Sequence, residues 1–474
     1  MISHRVYSYH CHLRSNSSVT WLRESWMAET RFNKFKYAVL ALLVLLVAAG
    51  VRFSSLERQS LWDDESYTLR DIGIIPVPNS ADVPEVPPPL FFTLLRGWMK
   101  AAGKSIAAIR AFSALWGVIG VMLVGAATWR MVSPYAGLIA AGILALHPFH
   151  LAYSQEARPY AMLFALVVAA IWAIWEKRTW ASMVLCAAAL WTHPWGVFIW
   201  ILGAVSLRRW QMVLVPILAA PAIWHMAHLG SGYQTFWAHR PNLAALWGVG
   251  QSLSGSSFYV GGWRYSAGLF LLPFALFLVF WCAGLKKEDQ FHTRRLFIYG
   301  SVALIVLPLI SGLIVPEVAA HNRYFLAALP VAILLAARGW ASIPVKWRLI
   351  SGLLMAVLLC WSTYYYFTGW QKGNYKQAYE AAKALGTSDT ILVVESFMRP
   401  LWDYYDQSGL PKLNDSDIDI EELSSSYNRL LLLTLDAPDE VRDDLDKHLR
   451  ILERRRYPAD YQLGLCLTLY SINQ

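Results

Sequence analysis

"YAVLALLVLLVAAGV", residues 37–51, is followed after a short link by "LWDDES", residues 61–66. The first stretch is uncharged and, with its flanks, close to the ~20 residues that carry a helix across ~30 Å of hydrocarbon. The second sets Asp63, Asp64 and Glu65 side by side where the chain leaves the lipid. Comparable runs recur at 117–129 and 298–315, and the whole chain is 56% hydrophobic but only 15% charged. A soluble domain carries roughly a quarter charged residues, so the fold read from composition is a polytopic membrane bundle, mainly α. Many of the 23 Trp and 23 Tyr stand beside span ends, as in an interfacial aromatic belt.

The net charge of +9 sits in short clusters between apolar segments and not along one polar face, which sets orientation and argues against nucleic acid as a partner. The five cysteines are scattered without a CxxC pair, so neither a zinc site nor a disulfide frame is expected. Residues 1–26 carry no structural pattern, Met27 is an alternative start, and the first apolar run lacks a small-residue cleavage signature, which reads as a retained anchor.

With Arg23, Arg31, Lys34 and Lys36 inside, expected spans fall at about 37–53, 110–130, 134–150, 159–175, 211–229, 265–284, 296–315, 324–341 and 348–367. Residues 180–207 are interrupted by "LWTHPWG", whose Pro194 removes a backbone donor, and are read as a hairpin of two short helices. Eleven spans result, with the N-terminus (1–36) cytoplasmic, a transmembrane domain over 37–369 and a first outer loop at 54–109. From 371 onward 18 acidic residues face 12 basic ones. The β-like runs "TILVVE" and "LLLLTLD", with helix-like stretches at 376–385 and 438–456, predict a small outward α/β domain over 370–474.

The spans as read contain almost no charge, unlike those of ion-coupled transporters, whereas the outward turns carry most of the polar chemistry. Adjacent carboxylates at an apolar interface repel one another, so one of them acquires a raised pKa, the condition a general base needs; the plain alternative is an Asp capping a helix. In "HPFHLAYSQEARPYA", 147–161, Arg158 suits a phosphate held by paired donors, and "PEVAAHNRYF", 316–325, adds His321 and Arg323 on the same face. His147 and His150 lack the companion carboxylate of a metal site.

"LWDDES", "PPPLFFTLLRGW", "IRAFSALWG", "LHPFHLAYSQEARPYAM", "LWTHPWG" and "HNRYFLAALP" occur in an order that resembles the polytopic glycosyltransferases of the protein O-mannosyltransferase and lipid A aminoarabinose transferase type, over about residues 36–340. The resemblance implies the C-type membrane glycosyltransferase fold. It maps the family's Asp-Glu pair onto Asp64 and Glu65, leaves Asp63 as an extra acid, and departs where many members read His-Pro-Pro-Leu and this chain has Pro87, Pro88, Pro89, Leu90. It implies inverting transfer of a sugar from a polyprenyl-phosphate donor to an acceptor hydroxyl (lipid, polysaccharide or protein) outside a bacterial cytoplasmic membrane. The expected catalytic residues are Asp64, Glu65 and Glu156. Arg158, His321 and Arg323 would hold the donor phosphate, and Asp63, Tyr160, His193 and Tyr324 the substrates, with no metal and no cofactor. Alternatives are a diphosphate-linked oligosaccharide transferase, a lipid flippase or a membrane scaffold. Specificity is expected in the loop 230–264, with "GYQTFWAHRP" as lining, and in the outward domain.

Overall fold

The computed structural model describes residues 16–74, 89–229, 240–256, 267–286, 291–319, 321–369, 372–395, 398–405, 409–436, 439–457 and 464–472, with side chains from Phe35 onward. The membrane part is helical throughout: α1 (Asn16–Phe53), α2 (Asp63–Asp71), α3 (Pro89–Ala102), α4 (Ile106–Met131), α5 (Pro134–Ala145), α6 (Pro148–Ser154), α7 (Tyr160–Trp175) and α8 (Thr179–Leu190). It continues with α9 (Gly196–Leu207), α10 (Leu214–Leu229), α11 (Leu243–Ser254), α12 (Ala267–Lys286), α13 (Phe291–Ser301), α14 (Leu307–Ile314), α15 (Leu329–Trp340) and α16 (Val345–Thr368).

Among the described residues four helices are long and apolar enough to cross a membrane: Phe35–Phe53, Ile106–Met131, Phe291–Ile314 and Val345–Thr368. Each of the other expected spans has a shorter apolar helix in its place, and residues 180–207 form the expected hairpin, α8 and α9, around Pro194. Leu42, Leu46, Val47, Leu353, Val357 and Ile314 leave apolar side chains exposed along these helices, a surface that only lipid would cover. Inside, glycines allow backbones to meet: a Cβ on Gly339 of α15 would collide with the Phe280 carbonyl, and one on Gly284 of α12 with that of Leu335. Such close approach substitutes for a hydrophobic driving force that lipid cannot supply.

Several expectations are corrected. The span 134–150 is not one rod: α5 and α6 meet at 61°, because Pro148 cannot donate to the preceding turn and restarts the helix as α6. The spans also hold more charge than expected, since Arg52 of α1 and Arg110 of α4 are both buried. Helix α1 begins at Asn16, well ahead of the apolar run, so residues 16–26 are not patternless in the fold. Trp62, and not an aspartate, is the N-cap of α2.

The bend is pinned by a reciprocal exchange of caps. Arg52, at the end of α1, donates to the Leu144 and Ala145 carbonyls that close α5 (both 2.9 Å) and to His150 Nδ1 (2.8 Å). Gln155, just past α6, returns its Nε2 to the Val51, Arg52 and Ser54 carbonyls that close α1, and the Tyr366 hydroxyl donates to its Oε1 (2.9 Å). Orphan carbonyls at two helix ends are thereby satisfied inside the protein, where no water would reach them. The link leading to Asp64 and the turn leading to Arg158 are fixed to one another by the same bonds.

The C-terminal domain carries a five-stranded sheet in the order β2-β1-β3-β5-β4: β1 (Thr390–Val394), β2 (Lys412–Asn414), β3 (Arg429–Leu435), β4 (Arg450–Tyr457) and β5 (Leu465–Ser471). β1 lies parallel to β2 and β3, while β5 is antiparallel to both β3 and β4. Alternate residues divide the faces: Leu392, Val394, Leu431 and Leu433 join the main core, and Ile391, Val393, Leu430 and Leu432 form a second one. Helices α17 (Tyr375–Leu385), α18 (Arg399–Tyr405), α19 (Ile420–Ser424) and α20 (Glu440–His448) complete the domain. The expected helix at 438–456 ends at His448 and becomes β4, an exposed, charge-rich edge strand whose side chains do not alternate between core and solvent.

Candidate active site

Trp62 enters α2 with extended backbone, so Asp63, Asp64 and Glu65 form the first helical turn, where unsatisfied N–H groups favour negative charge. Consecutive positions on a helix diverge by about 100°, and the two described carboxylates accordingly face different partners. The Asp63 side chain lies outside the described residues.

Asp64 Oδ2 lies 2.5 Å from Arg323 Nη1 and 3.9 Å from Arg158 Nε, while Arg158 Nη1 donates to the Asp64 carbonyl at 2.9 Å. Both guanidiniums are nearly buried and lie over aromatic rings: Arg323 is 5.6 Å from the Trp62 ring and 5.7 Å from that of Tyr324, and Arg158 is 5.9 Å from Tyr160. Tyr160, His193 and Tyr324 form a triangle of rings with centroids 5.5 to 6.4 Å apart, and His321 meets Tyr324 at 5.7 Å. Burial alone would push the Asp64 carboxyl up, but Arg323 and Arg158, helped by His321 and Lys372, hold it below the usual carboxylate range. Burial, aided by Arg323, lowers His321 to about 3, so its imidazole is neutral at pH 7.

Glu65 turns away into a second charge cluster. Arg110 grips it with two parallel bonds, Nε to Oε1 at 2.8 Å and Nη2 to Oε2 at 2.6 Å, and the Ala157 amide adds a third at 3.0 Å. The same guanidinium gathers the Leu56, Gln59 and Ser60 carbonyls, shaping the link that leads to Asp64. Lys372, from the connection to the C-terminal domain, lies 2.9 Å from Glu156 Oε1 and 3.9 Å from Glu65 Oε2. Burial would push Glu65 up, but Arg110 and Lys372 pull it down; Glu156 ends above its ordinary value, because burial and the neighbouring Glu65 and Asp64 outweigh Lys372. Trp62 lies between the clusters, with Arg323 5.6 Å and Lys372 5.4 Å from its ring.

Seven residues expected from the sequence therefore meet at one place: Asp64, Arg158, Tyr160, His193, His321, Arg323 and Tyr324. Glu65 and Glu156 lie in the adjoining cluster. Sequence reasoning missed Arg110, Lys372 and Trp62. Of the expected specificity loop, residues 230–239 and 257–264 lie outside the described residues, but its middle part reaches the site's border, where Asn322 Nδ2 donates to Ser252 Oγ at 3.3 Å. Among the described residues no group of three or more His, Cys, Asp or Glu is placed to hold a metal ion.

The C-terminal domain is tied to this site. The Leu61 amide donates to the Tyr405 hydroxyl of α18 (2.8 Å) and the Lys372 amide to Gln59 Oε1 (3.0 Å), while Arg58 bonds the Tyr366 carbonyl near the end of α16 (2.7 Å).

No protein-family model and no curated protein matches the chain. Among solved structures, apo ArnT from Cupriavidus metallidurans aligns over 93% of this chain and 98% of its own, with a TM-score of 0.59 at 12% identity. The same protein bound to undecaprenyl phosphate aligns over equal shares with a TM-score of 0.56 at 10% identity. The oligosaccharyltransferase of Archaeoglobus fulgidus, in complex with Zn and sulfate, gives 0.51 at 12% identity over 83% of this chain and 67% of that one. The fold is that of the C-type glycosyltransferases. Within this C-type architecture the match runs through both the helical part and the C-terminal domain, as coverage of this extent requires.

Proposed function

We propose that the protein transfers a sugar from a polyprenyl-phosphate carrier to an acceptor hydroxyl at the outer face of a bacterial cytoplasmic membrane. The observation that carries this reading is the Asp64 carboxylate, 15% exposed, held by Arg323 and Arg158 among aromatic rings. A phosphate and a carboxylate compete for the same forked donors, and a phosphate brings more charge and more acceptor oxygens. Donor entry draws the two arginines onto the lipid phosphate and leaves Asp64 without its cations. Its pKa then rises towards the value that burial alone dictates, and it becomes a base when the donor is in place.

The acceptor O–H then gives its proton to Asp64 as its oxygen bonds to the anomeric carbon from the face opposite the phosphate. The bond from that carbon to the phosphate oxygen breaks, the polyprenyl phosphate departs with the electron pair against Arg158 and Arg323, and configuration inverts. His321, neutral and beside Arg323, and Glu156, whose Oε2 has no hydrogen-bond partner among the described residues, are the groups left to hold sugar hydroxyls. Fold likeness to an ArnT bound to undecaprenyl phosphate supports a lipid-linked donor.

The test is reconstitution in liposomes with a radiolabelled polyprenyl-phosphate sugar. Label moving to an acceptor supports the reading, and label that only crosses the bilayer overturns it in favour of a flippase. Arg323→Ala is expected to raise KM for the donor about 10- to 100-fold, the scale of a lost charge-assisted bond, with partial recovery in Arg323→Lys, which keeps charge but not the fork. Equal KM in all three proteins would remove Arg323 from the phosphate site. Because a monophosphate leaving group is neutralised here by arginines, transfer is expected to persist in excess EDTA; loss that Mg²⁺ or Mn²⁺ restores would favour a diphosphate-linked donor.

A further inference from the structure

A second place for a lipid lies away from the charged site. Helices α1, α5, α12, α15 and α16 line a partly open apolar cavity of about 420 Å³. It follows α5 from Tyr135 at its start to Leu146 and His147 at its end, a length of about 18 Å at 1.5 Å per residue. An elongated space lined almost wholly by apolar side chains suits a hydrocarbon chain. Lys36 is the one Lys, Arg, Asp or Glu in its lining, and it stands at the Tyr135 end, where the Tyr135 and Trp340 rings stack at 6.2 Å. An ammonium beside paired aromatics at the mouth of an apolar channel is the arrangement by which membrane proteins hold anionic headgroups.

Lys36 and Arg52 are at opposite ends of the membrane stretch of α1, about 24 Å apart along the helix axis. A lipid with its head at Lys36 therefore faces the leaflet remote from Asp64 and is not the donor. We infer that this cavity binds one acyl chain of an anionic phospholipid of that opposite leaflet, with Lys36 on the headgroup phosphate. The chain holds apart helices that would otherwise collapse onto an empty space, and α5 carries the bend on which Arg158 depends.

Two glycines in the wall make the test clean. A Cβ on Gly142 would meet nothing within 4 Å, and one on Gly352 would come no nearer than 3.6 Å to Trp340, so larger side chains enter the cavity without disturbing the backbone. Native mass spectrometry of the full-length protein, extracted in mild detergent, is expected to show one retained phospholipid per chain, lost in both Gly142→Trp and Gly352→Leu. In nanodiscs of mixed phosphatidylglycerol and phosphatidylethanolamine, Lys36→Glu is expected to reduce the preference for phosphatidylglycerol about tenfold or more. Retention of the same phospholipid by both glycine variants, a wild-type protein that carries none, or polyprenyl phosphate as the retained species would each overturn the inference. None of these results bears on the transferase reading, because Lys36 and the two glycines touch no residue of the Asp64 site.

Discussion

Asp64→Asn is expected to lower the transfer rate by about 10²- to 10⁴-fold, the contribution of a positioned general base, in a protein that inserts and melts much as the wild type does. The substitution keeps shape and removes charge. Arg323 and Arg158 then keep their places but face a neutral amide, so the phosphate of the donor meets less competition for them. Donor KM is therefore expected to stay level or fall while kcat collapses. That split separates a proton acceptor from a residue that only positions arginines, whose loss would weaken donor binding instead. Near-wild-type turnover by Asp64→Asn in reconstituted membranes would end the assignment of Asp64 as base.

The second large effect falls on stability. Arg110 is 1% exposed, makes two bonds to a fully buried Glu65 and gathers three backbone carbonyls of the preceding link. Removing one partner of a buried pair leaves an uncompensated charge and costs about 3–5 kcal/mol. Arg110→Met and Glu65→Met are each expected to melt far earlier in detergent than the wild type, with transfer lost because the link that delivers Asp64 is no longer held. The double variant is expected to melt later than either single one, since it leaves neither charge unpaired, a coupling that a double-mutant cycle measures directly. Singles that melt like the wild type would show that residues 56–60 are held by something other than Arg110.

The sequence made the Asp64 face of the site legible and left the Glu65 face dark, for a physical reason. Asp64, Arg158, His321 and Arg323 lie in polar turns between apolar runs, so each announces itself locally, and a common outward position is enough to predict that they meet. Arg110 opens a helix of apolar residues, where it reads as a headgroup anchor. Nothing in its neighbourhood points to a carboxylate 45 positions earlier. Lys372 sits past the last long helix in a segment that reads as the start of a separate domain. Arg52 closes an apolar run and reads as its boundary, yet its partners are main-chain carbonyls, which no side-chain pattern reveals.

Period was similarly reliable only where burial imposes it. The hairpin at 180–207 and the strands "TILVV" and "RLLLLTL" were legible because proline or continuous burial marks them. The bend after Ala145 was concealed because the apolar run continues through it, and only Pro148 hints at the break. "RILERRRY" has no buried face at all; it becomes β4 through pairing with β5, a partner its own residues do not specify.

Lys372 makes the C-terminal domain inseparable from the membrane part. A stop codon anywhere between Thr368 and Lys372 would remove the ammonium from between Glu65 and Glu156, leaving Glu65 to Arg110 and Glu156 without its lysine. Fragments that end there would be expected to take up a proton at Glu156 or to misfold. Grafting this tail onto another chain, or another tail onto this one, succeeds only if the lysine travels with the joint.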